Sequence, residues 1–465
     1  MLTKRILTLM LVAVLAGCAR PGPQTGVYPG KEWTWAPSPE SLGWSSEKLA
    51  LARAYSERIG SAAVMIMDNG IVVDAWGDLE YKYHCHSMRK SLISALYGIY
   101  VADGKIKLTR TLADLGIDDI TPLTDIEKTA TIADLLSARS GVYLKAAGEG
   151  GIMIPGRPQR GSHAPGTFWY YNNWDFNALS TIFDQLSGEE SIYTAFDKRI
   201  AQPIGMQDYD LADADLRYSY ESYSMHPFYY FHMSTRDLAR FGLLFLRNGR
   251  WGEQQVIPAD WVRASTTSHS DIGPQSGYGY MWWTGEGVGL VPNVDEGPGA
   301  YAAQGAGGHR LIIMPSRNLV VVHRSNTEAG GVDVPDWEVG SLLWLILDAA
   351  GEKNIGDSIL LENNQGTVPT AETLPQILLA SQFNVIVSSK FTLTFDPDHT
   401  LSLSEDDALL SKARWWMEGD HYCHDLGSET GGRQCFQVLQ NGNELRLFGL
   451  DGYAALTFQV DQPRK

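Results

Sequence analysis

The sequence predicts an α+β protein in two folded parts: helices packed with antiparallel strands, then a small all-β domain at the C-terminal end. Three observations carry that reading. Asn69-Gly70 separates two β-rich runs, 62–67 and 71–76, and Asn-Gly between such runs is the strongest short-range hairpin signal. Apolar residues at helical spacing, Leu92, Ile93, Leu96, Ile99 and Tyr100, follow that hairpin. After Gly351 the pattern changes: Phe391, Leu393 and Phe395, then Leu401 and Leu403, alternate with period two, and Asn441-Gly442 and Asp451-Gly452 mark further turns.

A chain of 465 residues has room for two or three domains, and 44% hydrophobic with 11% aromatic residues is a globular composition. The formal charge of −17, from 37 basic and 54 acidic residues, argues against nucleic acid or an anionic membrane surface as partner. Lys4 and Arg5 precede a short apolar run at 6–15, too short to span a bilayer, so residues 1–17 read as a signal peptide. The run ends Leu15-Ala16-Gly17-Cys18, which resembles the lipobox of bacterial lipoproteins. That resemblance implies cleavage before Cys18 and lipid on Cys18. Ala19 resembles the sorting pattern for the outer membrane, facing the periplasm. Several acyl chains on one residue anchor stably where a single chain does not. An ordinary secretory signal with a chance cysteine is the other reading.

The elements follow in order. Residues 18–44, rich in proline and glycine, form a tether. A helix at 46–58 and the hairpin come next, then the helix after Ser87. Residues 107–140 read as mostly helical, with Leu112, Leu115, Ile132, Leu135 and Leu136 in the core. Residues 141–167, glycine- and proline-rich without periodicity, read as part of a site wall. Helices are expected at 175–187 and 234–248, a strand at 277–284, and β-rich runs at 311–314 and 319–323 around the turn Pro315-Ser316-Arg317-Asn318. A helix at 337–350 closes a first domain spanning 45–352. A polar linker, 353–376, leads to the β domain at 377–465. Cys423 and Cys435, among turn residues of an exported chain, read as a disulfide, worth about 3 kcal/mol by loop closure. His421 and His424 beside Cys423 leave a metal site as the alternative. Cys85 reads as a small buried side chain.

The chemistry centres on Ser87-x-x-Lys90. Positions i and i+3 share a helix face, so a helix opening at Ser87 brings the hydroxyl and the amine together. A serine needs a base within hydrogen-bond reach. A lysine serves only if burial keeps it neutral. A helix N-terminus offers a free backbone N–H to an oxyanion. A helix cap followed by a solvated lysine is the structural alternative. Two further elements follow in chain order: Tyr171-Asn172-Asn173 after Pro165-Gly166-Thr167, and Ala303-Gln304-Gly305-Ala306-Gly307-Gly308 leading into a β-rich run.

This order resembles the serine β-lactamase and penicillin-binding-protein superfamily, most of all the class C β-lactamase-like serine hydrolases of 6-aminohexanoate-dimer hydrolase or esterase type, over about residues 45–350. The stretch 233–242, Met-Ser-Thr-Arg-Asp-Leu-Ala-Arg-Phe-Gly, adds to it. The resemblance implies an antiparallel sheet of five or more strands flanked by helices, with an all-helical insertion between strands two and three. It implies Ser87 as nucleophile and Lys90 as its base. Tyr171 would act as base or proton relay, its pKa depressed by cationic and polar neighbours. Asn173 would hold Lys90 and the substrate amide, and the N–H groups of Ser87 and Ala306 would form the oxyanion hole. No metal or cofactor is required, and the substrate is a small ester or amide.

One element departs from the pattern. Where the family carries Lys-Thr-Gly or His-x-Gly, this chain has Ala303-Gln304-Gly305, so the basic group that helps hold a penicillin carboxylate is missing. Ester hydrolysis is therefore expected over β-lactam turnover. His309 reads as structural, with Arg310 beside it. Tyr170-Tyr171-Asn172 is a rival register, but the spacing from Pro165-Gly166-Thr167 favours Tyr171 and Asn173. Trp169, Trp174, Trp282 and Trp283 line an acyl pocket or belong to the core. A cell-wall β-lactamase or D-amino-acid peptidase is the runner-up reading, and a non-catalytic binding lipoprotein is the alternative of another class. A protein partner for the C-terminal domain is not named by the sequence.

Overall fold

The computed structural model describes residues 26–463 apart from breaks at 150–156, 189–190, 214–215, 274–275, 286, 289, 329–330, 354, 386–387, 406–407, 426–432 and 451. The segment expected to be a signal peptide and Cys18 lie outside the described residues. Among the described residues no helix is long and apolar enough to cross a membrane.

Helix α1 (Ser46–Arg58) starts at Ser45, whose side chain accepts from the Lys48 N–H. Strands β1 (Ser61–Asp68) and β2 (Ile71–Gly77) form the expected hairpin, with positive φ at both turn residues, +50° at Asn69 and +85° at Gly70. They are the first two strands of an eight-stranded sheet. Its order is β2, β1, Leu319–Ser325, His309–Met314, Tyr301–Gly305, Trp283–Gly285, Ser276–Tyr278 and Ser270–Gly273, every pair antiparallel. The run at 277–284 is not one strand. Met281, with φ at +60°, turns the chain between Ser276–Tyr278 and Trp283–Gly285.

The insertion between β2 and the rest of the sheet is not all-helical. Beside its helices it carries short two-stranded ribbons, such as Tyr218–Glu221 with Ser224–Tyr229, whose inward residues pack on helix Asn173–Ser187. Residues 107–140 hold only short turns of helix. Capping boxes at Thr111/Asp114 and Thr131/Asp134 start two of them, and Gly116, with φ at +66°, ends the first after a single turn.

One apolar core lies between the sheet and the insertion. A second lies on the other face, under α1 and helix Asp336–Ala349, and takes in Leu439, Phe448 and Ala454 from the C-terminal part. That part is a closed eight-stranded barrel, residues 381–463, with its own core and Cys423 bonded to Cys435 across paired strands. Helix Thr373–Ala380 buries Leu374 and Leu378 in the barrel core. The stretch before it, expected as a linker, is held to the barrel by backbone bridges Leu360–Tyr453 and Thr367–Gln440.

Candidate active site

Helix α2 (Arg89–Ala102) is the rigid base of the site, with residues 89–100 all buried. Gly98 lets it pack tightly: a Cβ there would meet the Trp261 ring at 2.2 Å. Ser91 and Ser94 donate to the carbonyls of Met281 and Tyr280 and fix the helix to the turn of the sheet. Ser87 sits one step earlier, in a single 3-10 turn, His86–Met88, so the helix opens at Arg89 and not at the serine. His86 has φ at +45°, a left-handed conformation immediately before the serine. Buried Arg324 holds the approach to this turn, donating to the carbonyls of Met233, Tyr83 and His84 and to Nδ1 of His309.

Lys90 Nζ donates to Ser87 Oγ at 2.7 Å. The amine is buried, above the rings of Tyr171 (4.8 Å to the centroid) and Phe176 (4.9 Å). Burial holds Lys90 well below the usual lysine range, and the charge of Arg89 adds to this. Ser87 lies close enough to the Tyr171 phenol to draw its pKa down. The net pKa is nevertheless not depressed, as neighbouring charges alone would suggest. Burial pushes it up to about 12, outweighing the opposite pull of Ser87, Arg89 and Arg310. Burial thus favours the uncharged amine at Lys90 and the uncharged phenol at Tyr171.

Tyr171 stacks on Trp283 at 5.3 Å and meets Tyr278 at 5.9 Å, while the neighbouring Tyr170 turns away to Tyr143. The structure thus takes the register with Tyr171 and Asn173. Asn173 is the first residue of its helix and is buried; Asn172, the cap, accepts from the Trp174 N–H. The four tryptophans split. Trp169 and Trp283 stand 6.2 Å apart beside Tyr171, whereas Trp174, bonded to Asp119, and Trp282, against Phe245, are fully buried core.

The third motif is placed by strand Tyr301–Gly305. Side chains alternate along a strand, so Ala303 and Gly305 face Ser87 while Gln304 points to the other side and donates to the Leu290 carbonyl. Gln304 is therefore not a site residue. Ala306 follows Gly305 at the start of a 3-10 turn, Ala306–Gly308. His309 is buried and bonded to Arg324, as a structural residue. Arg310 is buried too, donating to the carbonyls of Gly305 and His309 and paired with Asp336.

Sequence reasoning passed over three groups that the fold brings to the site: Arg89, Tyr278 and the imidazoles of His84, His86 and His232. His84 meets His86 at a tilt, 4.0 Å between ring centres, and stacks on His232, its cross-strand partner, at 4.9 Å. The His-x-His spacing before Ser87 was the available signal. Among the described residues one group gathers metal-ligating side chains, Glu418 with Cys423 and Cys435, and the disulfide occupies both sulfurs.

A family profile described as Beta-lactamase matches residues 49–342. No curated protein matches the chain in sequence. Among solved structures, the chain resembles the octameric penicillin-binding protein homologue from Pyrococcus abyssi (16% identity, TM-score 0.51, 89% of this chain and 99% of that one). It also resembles EstCE1, a hydrolase with promiscuous acyltransferase activity (16%, 0.47, 68% and 99%). A third is the penicillin binding protein from Bacillus halodurans (15%, 0.46, 63% and 98%). The profile spans more than half of the chain and lies on the sheet and insertion that carry Ser87, and on that ground the protein belongs to the beta-lactamase family of hydrolases.

Proposed function

We propose that the chain is a serine hydrolase that cleaves an uncharged ester or amide through an acyl-enzyme on Ser87. The observation that carries this is the 2.7 Å contact between Ser87 Oγ and a buried Lys90 amine. As Ser87 Oγ bonds to the substrate carbonyl carbon, its proton passes to Lys90 Nζ. The carbonyl oxygen gains the negative charge, and the backbone N–H groups of Ser87 and Ala306 receive it; losing one such donor typically costs about a hundredfold. The C–O or C–N bond breaks as the leaving group takes a proton relayed through the Tyr171 phenol, and Lys90 is the source of that proton. Asn173 orients Lys90 and the substrate. Water then attacks the acyl-enzyme by the same path in reverse.

The substrate class follows from charge. Ala303 leaves the sheet side of the cleft without a cation, and the Arg310 guanidinium is already taken by two carbonyls and Asp336. The aromatic wall of Trp169, Tyr171, Tyr278 and Trp283 suits an apolar acyl group. The test is labelling by a fluorophosphonate probe, read at Ser87 by mass spectrometry, with a hydrolysis panel of short esters, nitrocefin and D-alanyl peptides. Labelling with ester turnover supports the reading. Efficient nitrocefin or D-alanyl peptide turnover moves the protein to the cell-wall reading, and a folded protein that does not label is a binding protein. We place it in the cell envelope, lipidated at Cys18, on the signal pattern at 1–18. Loss of detergent-phase partitioning in Cys18→Ser tests that location.

A further inference from the structure

We infer that Arg89 is a positioning residue of this site: it supplies, from the nucleophile's own helix, the fixed positive charge that the third-motif strand lacks, and it acts through Lys90 and not on substrate. The inference rests on the reading of Ser87 and Lys90 as nucleophile and base.

Arg89 is 1% exposed. Its guanidinium lies 4.0 Å from the ring centre of Phe228 and 3.9 Å from that of Tyr229. Nη2 reaches Asn177 Oδ1 at 3.5 Å, and Nε and Nη1 have no hydrogen-bond partner among the described residues. No carboxylate pairs with it there. The other buried arginines are staples: Arg240, Arg310, Arg324 and Arg446 donate to backbone carbonyls, and Arg247 ties the two turn residues Asn69 and Asn318 through their side-chain oxygens. Arg89 staples nothing in that way. It also stands in the first turn of α2, where the helix dipole disfavours a cation. A buried charge without a counter-ion is costly, and two aromatic faces return only part of that cost. Stability does not explain the residue; its neighbour does.

The groups around Lys90 leave Arg89 as the uncompensated charge. From the preceding turn and strand come His86 and His84, held neutral by burial at about 4 and about 2. Tyr171, Tyr229 and Tyr278, on the adjoining loop and two strands, are all raised by burial and remain phenols. Asp175, on helix Asn173–Ser187, is raised by burial as well. Arg310, on strand His309–Met314, is matched by Asp336. A positive charge one residue from Lys90, with both side chains buried, opposes a second one on its amine. The direction agrees: burial lowers Lys90 first and Arg89 lowers it further.

The test uses the full chain and the pH dependence of fluorophosphonate labelling at Ser87, with a melting curve for each variant. Arg89→Met removes the charge and keeps the bulk. Asn177→Asp leaves Arg89 in place but puts a carboxylate beside it. Arg89→Lys keeps the charge. In the first two, labelling near neutral pH should fall about tenfold and recover as pH is raised, because the acid limb moves to higher pH. Arg89→Lys should keep the limb close to its original place. An acid limb unmoved in Asn177→Asp overturns the inference, even if Arg89→Met does not fold, since a purely structural arginine gains a partner there and the limb stays. If the unaltered protein fails to label, the nucleophile reading itself falls and takes this inference with it. If it labels and the limbs coincide, this inference alone is lost.

Discussion

Gly305 lies against Cys85 so closely that a Cβ at 305 would stand 2.7 Å from the Cys85 carbonyl oxygen and 3.3 Å from the His86 Cβ. The two strand-ends of the site, the turn that carries Ser87 and the strand that leads to Ala306, are therefore seated on each other through a position only glycine fits. Gly305→Ala has to part them by several tenths of an ångström. Displacements of that order cost up to about a hundredfold in rate when they separate a nucleophile from its oxyanion donors. We expect labelling of Gly305→Ala to slow by at least about tenfold, with the melting temperature only slightly lower. A labelling rate equal to that of the unaltered protein sinks the pairing of Ser87 with Ala306.

Lys90 Nζ stands 2.7 Å from Ser87 Oγ, within hydrogen-bond reach. Ser87→Ala should abolish turnover and leave the fold intact, because the serine is partly exposed and braces nothing in the core. Lys90→Ala should lose nearly as much, and the double variant no more than the worse of the two, because residues acting as one unit are not additive. Kinetics of the three variants decide it: a double variant showing the product of both losses argues for separate roles.

Glu296, on the short strand Asp295–Gly297, is fully buried, with Oε1 accepting the Val291 N–H. Burial pushes its carboxyl up to about 8. The folded chain then holds a proton that the unfolded chain has lost between the ordinary carboxyl pKa, about 4.5, and about 8. Stability contributed by this group is full below that window and falls as pH rises through it, by about 1.4 kcal/mol per pH unit. Glu296→Gln should flatten the decline in melting temperature from pH 5 to 8. Parallel slopes in the two proteins refute the assignment.

What the sequence made legible was local. The turn at Asn69-Gly70 announces its own positive φ, Ser87 and Lys90 meet within one helical turn, and Cys423 and Cys435 pair across adjacent strands. The barrel strands were visible as alternation. What it hid depends on contacts far apart in the chain. Arg89 sits in the motif itself, yet its environment comes from Phe228 and Tyr229. Gln304 looked like a motif residue until the strand's register turned it toward Leu290. Counting charges near Tyr171 suggested a lowered pKa, but burial is a property of the whole fold and it prevails.

The barrel offers the last test. Phe448 is fully buried in the core that α1 and helix Asp336–Ala349 share with it, next to Leu439 and Ala454. Tyr453 meets Tyr55 of α1 at a tilt, 4.6 Å between ring centres, and Ser341 donates to the Ala454 carbonyl. This contact is on the opposite face of the sheet from the core that supports Ser87. One barrel strand, Ser388–Phe395, also reaches the outermost sheet strand, Ser270–Gly273, beyond Trp283–Gly285 and Ser276–Tyr278. The barrel is coupled to the hydrolase domain through apolar packing, and we expect it to brace the fold without taking part in the chemistry. Phe448→Ala should cost about 3–5 kcal/mol of stability by opening a cavity in that shared core, seen as a lower denaturant midpoint, while the folded variant labels at Ser87 at an unchanged rate. If labelling slows in protein that is demonstrably folded, the brace reaches the site through the outer sheet strand, and the C-terminal part belongs to the active unit.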